Sequence, residues 1–73
     1  MSNVKNGKFT ITSSDSQKQI DLTSAQFTSV PLVNLTTREN ISIYLDTVTN
    51  NYFICKFDNV LSDTDVFYVA VEN

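Results

Sequence analysis

Few side chains in this 73-residue chain could do covalent chemistry, and none has the company it needs. The strongest nucleophile is the single cysteine, Cys55. A thiol of this kind needs a base beside it, and the chain contains no histidine. The same lack removes a serine triad. Strand parity puts Cys55 between Phe53 and Phe57 on one face, the setting of an inert buried thiol. The acids Asp58, Asp63 and Asp65 gather around one loop, and Asp15 and Asp21 lie in the turn and second stretch of an earlier apolar pair. A calcium site needs several converging oxygens, and the step Asp63-Thr-Asp65 fits no tight loop of that kind, so these acids read as turn residues. A carboxylate pair for glycoside hydrolysis needs a cleft, for which so small a chain has little room. The lone glycine, Gly7, cannot build a glycine-rich phosphate loop. No catalytic residue, metal or cofactor is expected, and the chain is expected not to be an enzyme.

The remaining candidates are aromatic. Tyr44, Tyr52 and Tyr68 share a face by parity, together with Ile54, Val66 and Ala70. Tyrosine offers apolar area and one hydrogen bond, which suits a protein interface or the stacking of a sugar. A sugar site also needs convergent polar groups, so a subunit contact is the better reading. The expected interface is Tyr44, Tyr52, Ile54, Val66 and Tyr68.

Those residues must be positioned by strands. Ile41, Ile43 and Leu45 alternate with Ser42, Tyr44 and Asp46, the pattern of a half-buried strand. Thr49-Asn50-Asn51 is a turn, since Asn tolerates positive φ. Phe53, Cys55 and Phe57 then oppose Tyr52, Ile54 and Lys56, and residues 65–72 close the chain. Parity groups Ile41, Ile43, Leu45, Phe53, Phe57, Phe67, Val69 and Val71 into one expected core face. Earlier, Phe9 and Ile11 mark a first strand and Ile20 and Leu22 a second, with Ser13-Ser14-Asp15-Ser16 between them; the pair reads as a hairpin. Residues 21–27 could form a short helix with a Thr or Ser cap, but it would last only one turn, so they read as an irregular crossing. Pro31 cannot donate to a ladder and marks the start of a strand over 32–37, followed by a tight turn at 37–40. Residues 1–6 read as a disordered polar tail and residues 7–73 as one antiparallel β domain, which the resemblance described below makes a β-sandwich.

Composition narrows the partners. The net charge is −3, and Lys5, Lys8, Lys18, Arg38 and Lys56 form no basic stripe, which disfavours nucleic acid. No apolar run reaches membrane-spanning length, so no membrane insertion is expected, and the first residues lack the apolar core of a secretion signal. The sequons at Asn34 and Asn40 carry no weight in so Asn- and Ser/Thr-rich a chain. A domain this short buries only about 60% of its unfolded surface and usually needs extra support. One cysteine gives no internal disulfide, and without histidine a structural zinc lacks ligands. Self-association or docking on a larger partner is the support that remains.

The order of short motifs resembles a known module. Gly7-Lys-Phe-Thr-Ile is followed by Gln19-Ile-Asp-Leu, then Phe27-Thr-Ser-Val-Pro-Leu-Val-Asn-Leu. Next come Val48-Thr-Asn-Asn-Tyr-Phe-Ile and Val66-Phe-Tyr-Val-Ala-Val. Over about residues 7–71 this resembles the H-type lectin-like β-sandwich found in phage tail-fibre and other virion surface proteins. Tyr52 stands where that family has glycine, and Tyr68 where it usually has tryptophan. The resemblance implies a six-stranded antiparallel sandwich that often trimerises, and no sugar-contact residue carries over. The resulting expectation is a virion structural protein, a small tail-fibre, knob or capsid-decoration subunit. Such a subunit would be made in the host cytoplasm and assemble as a homotrimer with other virion proteins. The alternative is a carbohydrate-binding lectin that takes a host glycan.

Overall fold

Alternation of apolar with polar residues, broken by turn residues, produces six strands in the computed structural model, which describes residues 3–58 and 60–72. They are β1 (Val4–Ile11), β2 (Gln17–Asp21), β3 (Leu32–Thr37), β4 (Ser42–Val48), β5 (Tyr52–Asp58) and β6 (Thr64–Val71). A single 3-10 turn at Thr23–Ala25 is the only helical element among the described residues. The fold is an all-β sandwich of two antiparallel three-stranded sheets. Sheet A has the order β1-β6-β3 and sheet B the order β2-β5-β4.

β4 and β5 pair as a local hairpin, and the other three pairings join strands distant in sequence. The hairpin expected from β1 and β2 does not form. Phe9 lies opposite Val66 and Ile20 opposite Phe53, so these two consecutive strands enter different sheets. Local alternation marks a strand but carries no information on its neighbour. The turn between them is closed by Asp15 N–H donating to the Thr12 carbonyl at 3.1 Å. At its end, Phe57 N–H donates to the Ser16 carbonyl. β1 also begins at Val4, inside the stretch expected to be a disordered tail, because Val4, Lys5 and Asn6 pair with Val71, Ala70 and Val69. Residues 1 and 2 lie outside the described residues.

The core lies between the sheets. Sheet A contributes Phe9, Ile11, Val66, Tyr68 and Ala70, and sheet B contributes Phe53, Cys55 and Phe57. Leu22, Phe27 and Val60 close it from the connections, and Ile41, Ile43 and Leu45 pack at its margin. Its centre is an aromatic triad. The Phe53 and Tyr68 rings meet edge to face at 5.3 Å, and Phe9 lies 6.2 Å from each. Such tilted geometries suit the ring quadrupoles and add about 0.5–1.5 kcal/mol per pair beyond the area buried.

The expected core face is therefore right for β4 and β5 and inverted for β6. Val66, Tyr68 and Ala70 point inward, while Phe67 and Val69 face outward, 41% and 39% exposed. β6 is apolar on both sides, so its own alternation is uninformative. Its neighbours decide. Phe9 and Ile11 of β1 must be buried, and the register then places Val66 beside Phe9 on the inside and Phe67 beside Lys8 on the outside. Gly7 supplies the room: a Cβ there would stand 3.1 Å from the Tyr68 ring.

Candidate functional site

The five residues expected to form one interface are divided by the structure. Tyr44, Tyr52 and Ile54 lie on the outer face of sheet B. Tyr44 is exposed, and the other two are half-buried. Val66 and Tyr68 belong to the interior of sheet A and cannot contact a partner. Burial pushes the Tyr68 phenol above its ordinary pKa, with the nearby charge of Asp21 adding to the effect.

Around its tyrosines the outer face of sheet B is well solvated. Tyr44 lies opposite Lys56, and Lys56 opposite Gln17. Asp21 lies opposite Tyr52, and Gln19 opposite Ile54. Lys56 Nζ reaches Asp46 Oδ1 at 3.7 Å across this surface. Exposed pairs of this kind contribute about 0–1 kcal/mol, so their main effect is to keep the face wet.

The outer face of sheet A is different. Val4, Val71 and Leu32 make one row across the three strands, and Asn6, Val69 and Asn34 make the next. Lys8, Phe67 and Thr36 make the third. Val4, Leu32, Phe67 and Val69 are all exposed, so an apolar stripe runs along β6 and widens at the Val4 end. Charge is confined to the far end. There Lys8 meets Asp65 at 3.8 Å, and Thr10 donates to Asp65 at 2.8 Å. Sequence parity missed this stripe although a signal was present: Asp65 shares its parity with Phe67, Val69 and Val71, and a carboxylate marks the wet side of a strand.

The acids act as local fasteners. The Asp21 carboxylate accepts from Thr23 N–H at 2.9 Å, and this bond holds its pKa below the ordinary aspartate value. Glu72 Oε2 accepts from the backbone N–H and hydroxyl groups of both Thr28 and Ser29, the Ser29 N–H at 2.8 Å. These bonds, led by the Ser29 N–H, hold Glu72 below the usual glutamate value. They tie the end of β6 to the crossing that precedes β3. Among the described residues no three His, Cys, Asp or Glu side chains converge as a metal site would require. The Cys55 thiol is fully buried, its Sγ 3.7 Å from the Lys18 carbonyl, and burial raises its pKa.

The surface therefore offers shallow, mostly apolar contact area on sheet A and a polar, tyrosine-bearing face on sheet B. Both suit binding by complementarity. No family model matches the chain, and neither a curated protein nor a solved structure matches it.

Proposed function

We propose that this protein is a virion structural subunit of the H-type lectin-like kind, a small tail-fibre, knob or capsid-decoration piece that works by protein–protein assembly. The observation that carries the reading is the apolar stripe of Val4, Leu32, Phe67 and Val69 on the outer face of sheet A. Contiguous apolar area on so small a domain marks a surface that is covered in use. The domain also has no disulfide to support it, its one cysteine being free and buried. The occupant of the stripe is an apolar surface of a larger virion protein. The charged end at Lys8 and Asp65 would form the polar rim of that contact.

Particle association tests the reading. In virus particles purified from cells that make the chain, it is expected in fixed copy number. The Val69→Lys variant, whose new charge falls in the stripe, is expected to be lost from them while still folding. A chain that stays free when particles are pelleted overturns the reading. Particle-free chain with a competable signal on a glycan array would put the carbohydrate-binding alternative in its place.

A further inference from the structure

We infer that the outer edge of β3 is a self-pairing edge, through which two copies of this chain join antiparallel into one six-stranded sheet. The inference rests on the assembly reading above but concerns a different surface, the strand edge rather than the sheet face, and it sets a two-fold pair in place of the homotrimer that the resemblance implies.

The four edge strands are not equally defended. An edge presents unpaired N–H and C=O groups, and proteins blunt it with lysine, other charges, short length or bulges. β1 carries Lys5 and Lys8. β2 is five residues long and carries Lys18 and Asp21. β4 has an irregular register between Leu45 and Thr47, with Asp46 at the break. β3, Leu-Val-Asn-Leu-Thr-Thr, has no charge and a regular register along its whole length. Among the described residues its only strand neighbour is β6. Pro31 is a guard, but it stands before the strand and is buried.

The sequence of β3 also complements itself. In an antiparallel pair, residues directly opposite must point to the same face, because a one-residue slip exchanges the faces. A two-fold axis through Asn34 meets this condition. It sets the inward-leaning Val33 of one copy opposite Leu35 of the other, so the apolar margins of the two cores meet. Outside, Leu32 falls opposite Thr36 and Asn34 opposite Asn34. No like charges are brought together. A two-fold axis through Leu35 instead sets Val33 against Thr37 and Leu32 against Arg38. The Asn34 axis is therefore the better match. Pairing there would lay two apolar stripes side by side in one surface, doubling the area offered to a larger partner.

The test uses the purified chain in sedimentation equilibrium. Wild type is expected at the mass of two chains at micromolar concentration. Asn34 is exposed, so Asn34→Lys should leave the monomer folded, as circular dichroism would verify. It places two lysines opposite each other and should weaken the dimer by about tenfold or more. An equimolar mixture of Asn34→Lys and Asn34→Glu should restore it. Asn34→Cys should be bridged between copies by a short bifunctional thiol reagent, because directly opposed Cβ atoms lie about 4.5–5.5 Å apart. Wild type at the mass of one chain or three, or an Asn34→Lys variant that dimerises like wild type, overturns the inference. So does an Asn34→Cys variant that is not bridged. None of these results bears on particle association, so the two readings fail separately.

Discussion

The two central strands, β5 and β6, lie across the core from each other and are built from similar residues, yet they serve their sheets differently. β5 turns Phe53, Cys55 and Phe57 inward and shows water Lys56, Asp58 and the edges of Tyr52 and Ile54. β6 turns Val66, Tyr68 and Ala70 inward and leaves Phe67 and Val69 outside with a charge only at the Asp65 end. Both strands fill the same interior, so the difference between them is a difference in outer surface. A strand can be apolar on two sides for two reasons, a core beneath it and a contact above it. In β5 the core alone accounts for the pattern, whereas in β6 the core accounts for Val66, Tyr68 and Ala70 and leaves Phe67 and Val69 for the proposed contact.

The largest expected effect separates neighbouring residues of β6. Tyr68→Lys puts a charge into the aromatic triad and should cost about 4 kcal/mol or more, most of the stability of a domain this small. Val69→Lys, one residue on but facing out, should cost about 1 kcal/mol or less. Thermal melting of the two variants measures the contrast, and equal losses would mean that the faces of β6 are assigned wrongly. Next in size, Phe53→Ala removes the β5 contribution to the same triad and should cost about 3–5 kcal/mol in chemical denaturation. A variant that melts like wild type would break the claim that the two strands share one interior.

Cys55 gives a probe of β5 that leaves the sequence unaltered. Thiol labelling should be slower in the native state than in denaturant by about 5,000-fold, if reaction requires unfolding against a stability near 5 kcal/mol. Rapid native labelling would put Cys55 on the outer face. The smallest effect belongs to the exposed Glu72 fastener at the end of β6. Its folded pKa lies below the unfolded one, so its contribution is present above the unfolded value and is lost as pH falls through the folded value. Glu72→Gln should therefore lower the melting temperature slightly at neutral pH, and the gap to wild type should close in acid. A gap that does not change with pH would show that the carboxylate charge is unimportant to the fastener.

How much of this was legible in the sequence follows the same division. Strand positions were readable: Pro31 does stand just before β3, Thr49-Asn50-Asn51 does turn, and β4 and β5 alternate clearly enough to declare their faces. Partners outside the β4–β5 hairpin were not, since the residue opposite Phe9 lies more than fifty positions away and nothing local names it. β6 was misread because its two faces differ little in hydrophobicity, and its orientation is imposed by β1 through the ladder. Of the candidate interface, Tyr44, Tyr52 and Ile54 fell on an outer face as read, and Val66 and Tyr68 fell inside for that one reason. The stripe on sheet A became visible only when three distant strands were laid side by side.

The place of β6 in the chain order has a consequence for how the molecule is made. It is the central strand of sheet A and the last of the six, whereas sheet B is complete once β5 has emerged. During synthesis β1 and β3 must wait, unpaired, for the strand that joins them, with Phe9 and Ile11 exposed in the meantime. Pairings this far apart in sequence are slow to close. The interval before β6 arrives is when the nascent chain is most open to wrong partners, and lysines on β1 guard one waiting edge while the other, β3, is left open.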